Sequence, residues 1–574
     1  MKLTRAAIDK IMIREGKKTL SYLDKASQNP KANEETLFKI LKDNKDTEYG
    51  KKYDFANIHT FEEYKAKVPL STYDDYAPYV RRMIKKKEEN LITAYKVLQY
   101  ADTSGSIGVQ KQIPITDEII RMHKKYSFCR SKAIADIHFR KTYGKPVPRG
   151  FGLNAVECEN TVAEDGRIHS SATGAVARRY RKLFRFFLTS PDPVHFPIGG
   201  MNMNYMKARF ALEKKDLCFM LSAFMTNLVD IMNFIKCNWE ILVEDIENGT
   251  INPEMCEERS RPVMMKYVKK HPKRAKELRK IFEEGFDTPI IPRLWPNMSW
   301  ACAIGNGSFS AYLKKYKQFA GENVGIDYFV YAASEGMFAA NIEMNKPEFC
   351  MLPDSSFFEF RDAAADDDDN DTIMMNQLEV GKEYEVILTN LGGFYRYKIQ
   401  DVIRVLGFYN HLPLITFAYR KGQLASIAGE KTTEEHLNEA AAELGRQMGI
   451  DIVDFSLYLD TDRPLSRYVL LIEPDSPVDI GKAEEYSEMF RRIIREKNKE
   501  YSVLEDRGSL DKPLVLVQQQ QTHALWREYK LMKGSSANQV KPVRILDTPV
   551  KQKFFFGLLE KGQETPPLPF AKKK

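Results

Sequence analysis

Apolar residues recur at helical spacing near the start of the chain. Ile8, Ile11 and Met12 share one face, and Leu37, Ile40 and Leu41 repeat the i, i+3, i+4 pattern. Two short helices are predicted there. Charges at Arg5, Asp9 and Lys10 interrupt the first apolar run, so it is expected to pack against the surface and not to serve as an export signal. The most apolar segment, residues 219–235, is broken by Thr226, Asn227, Asp230 and Asn233. A membrane span takes about 18 or more continuous apolar residues, so this segment is predicted to be a buried core helix. Over residues 386–399 the pattern turns to strands. Val386, Ile387 and Leu388 form a β-prone run, Gly392-Gly393 makes a turn, and a second run follows through Ile399. A β-hairpin or a pair of strands is expected.

The texture changes again after Gly429. Thr432 with Glu435 offers a capping box for a helix through Leu437, Ala441 and Leu444. Extended runs follow at 452–459 and 468–472. A strongly amphipathic helix carries Tyr486, Met489, Phe490, Ile493 and Ile494 on one face, and residues 514–517 read as a strand before a last helix. This is a compact α+β unit. The boundary is placed near residue 430, giving an expected large domain over 1–429 and a smaller one over 430–574.

Composition narrows the class. The chain has 574 residues, a formal charge of 87 − 79 = +8, 43% hydrophobic and 29% charged residues. These values are those of an ordinary globular protein and exclude wholesale disorder, collagen and coiled-coil arrays. At about 150 residues per domain the length alone suggests about four domains. The seven cysteines are scattered and form no C-x-x-C pair, which argues against a disulfide framework or a zinc site and fits a reducing cytoplasm. The nine histidines are equally dispersed and are expected to be structural. The aspartate run at 366–371 reads as a solvated loop, because like charges repel. The basic clusters at 178–182 and 269–276 alternate with acidic stretches and lack a nucleic-acid signature, so they are expected to be solvated helix faces.

Four segments carry candidate chemistry. In Thr103-Ser104-Gly105-Ser106-Ile107-Gly108-Val109-Gln110-Lys111, glycines let backbone N–H groups approach anionic oxygens, hydroxyls add donors, and Lys111 adds a mobile charge. In Tyr331-Ala332-Ala333-Ser334-Glu335-Gly336, an aromatic ring suited to stacking on a purine precedes a carboxylate suited to magnesium. Asp401, which ends the run from Gly393, is a bidentate acceptor for two ribose hydroxyls, and Arg420-Lys421-Gly422 is a further nucleotide contact or a charged turn. In Gly534-Ser535-Ser536-Ala537-Asn538-Gln539-Val540-Lys541-Pro542, the small residues place Lys541 on or beside a loop. Each segment alone is also satisfied by an ordinary turn, strand end or surface lysine.

In this order and spacing the four resemble the adenylate-forming acyl and aryl ligases, and more closely the Gretchen Hagen family of acyl acid amido synthetases. The resemblance runs over nearly the whole chain. Supporting stretches are Asn238-Trp239-Glu240, Trp295-Pro296-Asn297, 357–360 and 429–434, and the most specific are Tyr395-Arg396-Tyr397 and Asn538-Gln539-Val540-Lys541. The resemblance implies an α/β fold, with a large multi-sheet N-terminal adenylation domain and a small mobile α+β C-terminal one. It implies ATP and Mg2+ as cofactors, a carboxylic acid and an amine as small-molecule partners, and no nucleic acid. By the same resemblance Thr103, Ser104, Gly105, Ser106, Gly108 and Lys111 would cradle the phosphates. Tyr331 would pack on adenine, Glu335 would hold magnesium, Asp401 would bind the ribose with Arg420 nearby, and Lys541 would reach the α-phosphate and the carboxylate. The sequence departs from the family at two points. Gly105-x-x-Gly108 is one residue shorter than usual, which leaves a thiol such as coenzyme A open as the acceptor, and Gln400 stands where a glycine is usual before Asp401. The lining of the acid pocket does not transfer by motif; Gly199-Gly200-Met201-Asn202 is a candidate wall. A non-catalytic nucleotide-binding scaffold is the reading from another class, and the intact Lys111, Glu335, Asp401 and Lys541 argue against it.

Overall fold

The apolar run expected to be one core helix is divided in two. Residues Leu217–Phe224 form a strand, and only from Met225 does a helix begin, running to Asn248. The strand lies between Phe151–Asn154 and Trp300–Ile304 in a parallel sheet completed by Gly325–Asp327. A parallel strand is covered on both faces, so it shows no alternation of apolar and polar residues, and its periodicity is indistinguishable from that of a buried helix. Leu217, Cys218, Phe219 and Met220 are all buried, although successive side chains point to opposite faces.

The computed structural model describes residues 5–103, 111–158, 161–162, 168–169, 172–306, 309–363, 371–420, 425, 427, 430, 432–461, 463, 465–506, 509–533 and 540–566. It is a mixed α/β protein of two compact units, Met1–Asn306 with Tyr312–Phe417, and Gly307–Ala311 with Ala418–Lys574. Among the described residues the larger unit opens with the helices Arg5–Ser27 and Ala32–Asn44; the first is 23 residues long, with Ile8 buried and Ile11 half exposed. Besides the parallel sheet it has a small sheet around the antiparallel pair Val97–Thr103 and Lys111–Thr116. An eight-stranded sheet runs in the order Ile373–Met374, Ser356–Asp362, Glu383–Asn390, Tyr397–Tyr409, Leu412–Arg420, Phe349–Met351, Gly336–Ala340, Val330–Ala333, and its fifth strand, Leu412–Arg420, leads the chain into the smaller unit.

The pair of strands expected over 386–399 is Glu383–Asn390 and Tyr397–Tyr409, inner neighbours in this sheet, and the connection between them is buried. Its backbone groups have no ladder partners, so each needs another. The Asn390 side-chain oxygen accepts from the Gly392 and Phe394 amides, at 2.9 Å each. The Tyr76 hydroxyl accepts from the Tyr395 amide and donates to the Tyr395 carbonyl, both at 2.8 Å. The Arg396 amide donates to Thr389 Oγ1 at 3.1 Å, and the Ser71 amide donates to the Arg396 carbonyl at 2.9 Å. Gly393 has φ +98°, and a Cβ there would stand 2.6 Å from the Ile92 carbonyl oxygen. Around this loop Tyr395 stacks on Tyr49 at 5.0 Å, and Phe394 packs on Tyr76 at 4.6 Å. The Arg396 guanidinium lies 3.0 Å from the fully buried Glu359 and also donates to the Val68 carbonyl at 2.9 Å. Burial pushes the Glu359 carboxyl up, and Arg396 opposes that shift.

The smaller unit carries a three-stranded sheet, Ile452–Asp460, Arg467–Pro474 and Leu514–Val517, antiparallel and then parallel. The helices Glu434–Met448 and Ala483–Lys497 pack on it through Leu437, Leu444, Phe490 and Ile494. The expected order of elements holds, with an additional helix at Lys499–Asp506 and two helices, Thr522–Met532 and Pro549–Gly557, where one was expected. The capping box is one residue later than expected. Thr433 Oγ1 accepts from the His436 amide at 3.1 Å, and His436 Nδ1 accepts from the Thr433 amide at 3.3 Å. Thr432 is buried instead, and its hydroxyl accepts from Asn498 Nδ2 at 2.9 Å. A tertiary partner 66 residues away has taken the hydroxyl that local spacing assigns to the cap.

Removing one member of a buried ion pair strands the other. Arg396→Met should therefore destabilise the larger unit by about 3–5 kcal/mol, seen as a lower midpoint in thermal unfolding followed by circular dichroism. Adding Glu359→Leu should recover most of the loss. An Arg396→Met protein as stable as the parent would show that the pair is not needed.

Candidate functional site

The segment with Tyr331 and Glu335 is a tight hairpin. Ala333 pairs with Gly336, so Ser334 and Glu335 alone make the turn between Val330–Ala333 and Gly336–Ala340. Tyr331 lies on the first strand with its ring 5.3 Å from Phe338 and 6.1 Å from Phe417. Its hydroxyl donates to Asp401 Oδ2 at 2.9 Å, across 70 residues of sequence. Three strands separate these two in the sheet order, so the sheet curls until its edge hairpin meets its centre. The Glu335 carbonyl accepts from Asn390 Nδ2 at 2.8 Å, which fixes the turn to the end of the strand Glu383–Asn390. Glu335 and Asp401 are each 7% exposed.

Asp401 is presented by a β-bulge. Lys398 faces Ile387 and Val402 faces Glu385, so Ile399, Gln400 and Asp401 together stand opposite Val386. Gln400 has φ +67°. The glutamine keeps the left-handed conformation that a glycine would adopt at this place without strain, and the carboxylate after it is delivered toward Tyr331.

Thr103 and Lys111 pair across the antiparallel strands, so the two ends of the Gly/Ser segment are held side by side. Ser104, Gly105, Ser106 and Gly108 lie outside the described residues. Lys111 Nζ stands 3.5 Å from the Tyr397 hydroxyl and 5.8 Å from the Tyr73 ring centroid. Tyr397 begins the strand that carries Asp401. The larger unit thus brings Tyr331 into contact with Asp401, Glu335 lies in the turn of the hairpin that carries Tyr331, and Lys111 lies beside Tyr397 on the strand that carries Asp401. Asn390 and Tyr73 were not singled out from the sequence, and Tyr397 was singled out only as part of the Tyr395-Arg396-Tyr397 stretch, with no role. The only sequence signal for Asn390 is its place just before the Gly-containing turn.

Arg420 ends the strand Leu412–Arg420. In the smaller unit Lys541 is exposed, and residues 534–539 before it are outside the described residues. Burial raises the Glu434 carboxyl, and the charges of Arg544 and Lys541 oppose that shift. Arg544 in turn pairs with Asp454 at 2.5 Å. The candidate pocket wall at Gly199-Gly200 is a turn with φ +79° and +64°, closed by Ser260 Oγ donating to the Gly199 carbonyl at 2.7 Å. Asn202 accepts from the Tyr205 amide and starts the helix Met203–Leu212, a structural task. All seven cysteines are free thiols, five of them buried. Among the described residues no three His, Cys, Asp or Glu side chains gather into a metal cage. Glu335 is a single carboxylate, which is how magnesium is commonly held when it shares its shell with phosphates.

Comparison with known proteins follows the same outline. Models of the GH3 family match as its N-terminal domain over residues 19–324, its central domain over 349–420 and its C-terminal domain over 431–550. An indole-3-acetic acid-amido synthetase, GH3.8, from Oryza sativa subsp. indica is 26% identical over 92% of this chain and 90% of its own length. A jasmonoyl–L-amino acid synthetase, GH3.5, from Oryza sativa subsp. japonica is 27% identical over 76% of this chain and 79% of its own. Among solved structures, a GH3.15 acyl acid amido synthetase superposes with a TM-score of 0.82 at 20% identity, covering 94% of this chain and 96% of that one.

The bulge makes a specific prediction. Gln400→Gly should relieve the left-handed strain and stabilise the larger unit by up to about 1 kcal/mol, with the KM for ATP unchanged. Gln400→Val should destabilise it and raise that KM, because a β-branched residue strongly resists this conformation. Equal melting temperatures for all three proteins would refute the strain argument.

Proposed function

The chain belongs to the GH3 family, and from that premise we propose that it joins a carboxylic acid to an amine, an amino acid in the simplest case, in two steps driven by ATP. The acid carboxylate attacks the α-phosphorus of ATP, and pyrophosphate leaves. An uncharged amine then attacks the acyl carbon of the adenylate, and AMP leaves. The single observation that carries this reading is the 2.9 Å Tyr331–Asp401 hydrogen bond. It puts the residues assigned to adenine and ribose in contact, with Glu335 in the turn of the same hairpin.

The first step brings two anions together, so much of its barrier is electrostatic. Lys111 supplies positive charge at the mouth of the Gly/Ser segment, and Lys541 supplies it from the C-terminal domain, 430–574. Glu335 is the residue that would hold magnesium, which when bound neutralises phosphate charge. Asp401 accepts from the ribose hydroxyls, and its bond to Tyr331 holds the carboxylate in place before ATP arrives, so less orientation is lost on binding. The C-terminal domain moves between the steps and shields the adenylate from water. Arg420, at the end of its strand, is a further contact for the nucleotide. No helix among the described residues is long and apolar enough to cross a membrane, and the free thiols suit a cytoplasmic setting.

ATP–pyrophosphate exchange against a library of carboxylic acids should reveal an acid-dependent signal. Indole-3-acetic acid and jasmonate, for which the rice relatives are named, belong in the first panel. Mass spectrometry with pooled amino acids should then show an amide, and coenzyme A in their place should give no thioester. A thioester without an amide would move the protein to the thiol-acceptor class, and no exchange with any acid would remove the catalytic reading. In single-turnover assays Lys541→Ala should slow adenylate formation at least tenfold, and normal adenylate formation would remove the lysine from the first step.

Tyr331→Phe tests the nucleotide assignment. Losing a hydrogen bond to a charged group is worth about 1.5–3 kcal/mol, so the KM for ATP should rise about tenfold or more while the KM for the acid stays put. An unchanged KM for ATP would detach the pair from nucleotide binding.

A further inference from the structure

The smaller unit contains a serine, a histidine and a glutamate in line. Ser456 Oγ lies 3.2 Å from His523 Nε2, and His523 Nδ1 lies 2.8 Å from Glu473 Oε2. The arrangement is that of a nucleophile triad, yet its surroundings forbid that use. Ser456 is fully buried, and its one proton is donated to the Val543 carbonyl at 2.5 Å. No substrate reaches this hydroxyl, and its proton is directed away from the imidazole.

The partners show what the line holds. Glu473 also accepts from the backbone amides of Gln521, at 2.9 Å, and His523, at 2.8 Å, and so closes the N-terminus of the helix Thr522–Met532. That helix ends at Met532, nine positions before Lys541 in the chain. On the other side, residues after Lys541 lie along the strand Ile452–Asp460. The Leu457 amide donates to the Arg544 carbonyl at 2.7 Å, the Leu546 amide donates to the Leu457 carbonyl at 2.9 Å, and Arg544 reaches the Phe455 carbonyl at 2.9 Å. Val543 is the point in this run where the holding donor is a side chain, Ser456, and that side chain is the one linked to His523. One chain of hydrogen bonds, Glu473–His523–Ser456–Val543, therefore grips the helix before the Lys541 segment and the extended run after it.

We propose that Glu473, His523 and Ser456 are positioning residues that clamp both arms of the segment carrying Lys541 and so fix the base from which this lysine reaches its target. The inference rests on the assignment of Lys541 to the first step. The lysine itself is exposed, while its backbone anchor, two residues on, is buried: Val543 is 8% exposed. Precise placement of a charge in the transition state is sensitive to small displacements of its support.

The test compares Ser456→Ala, Ser456→Thr and His523→Gln in the full chain, each also combined with Lys541→Ala. Ser456→Ala should lower kcat for ATP–pyrophosphate exchange about tenfold, with the KM for ATP within twofold of the parent. Hydrogen exchange at residues 540–546 should quicken, and Ser456→Thr, which keeps the hydroxyl, should restore both. In the Lys541→Ala background the same substitutions should change the exchange rate by less than twofold. An unchanged kcat in Ser456→Ala, or an equal loss with and without Lys541, overturns the proposal; the latter marks a merely structural network. If Lys541→Ala alone exchanges at the parental rate, the lysine assignment fails first, and that outcome is distinct from a silent Ser456→Ala beside an inactive Lys541→Ala.

Discussion

The larger unit depends on satisfying the backbone of one buried connection. Residues 391–396 leave the sheet between two neighbouring inner strands and are buried, and every polar group there needs a partner from elsewhere. Asn390, Tyr76, Thr389 and Ser71 provide them, from both sides of the loop. The Tyr395-Arg396-Tyr397 signature follows from this demand. Tyr395 fills an aromatic cluster, Arg396 neutralises a carboxylate in the core, and Tyr397 starts the strand that carries Asp401. The same Asn390 that serves the loop also holds the carbonyl of Glu335. One side chain thus ties the connection to the turn that carries Glu335.

From that anchor the site is built by two distortions of regular sheet. Curling brings an edge hairpin onto a central strand, and a bulge turns Asp401 out of the ladder toward Tyr331. Both act against an even ladder, and both are secured by side-chain hydrogen bonds to buried groups. The glutamine at 400 is the local exception. Its left-handed backbone is tolerated because the flanking residues are locked in the sheet on either side, so the surrounding structure determines the conformation that the residue itself disfavours.

In the smaller unit the lysine proposed for the first step is held differently. Lys541 is exposed, and its position derives from extended backbone beside a strand and from the Glu473–His523–Ser456 line behind it. Buried polar groups in such a line are costly unless every member is satisfied, and a line that is satisfied is rigid.

What the sequence determined by itself was local. The period of the apolar residues placed the helix through Leu437, Ala441 and Leu444 and the strands at 452–459, 468–472 and 514–517. The Gly-Gly turn marked a pair of neighbouring strands. The order of four motifs led to the family, because short spacings survive as patterns in one dimension. Only the tertiary structure decided that residues 217–224 are a strand, that Thr433 and not Thr432 caps its helix, that Tyr331 touches Asp401, and that Ser456, His523 and Glu473 form one line. Burial on both faces removes the alternation that would have revealed the strand. The remaining contacts join residues tens of positions apart, where no periodicity relates one to the other and only the packing of the folded chain brings them together.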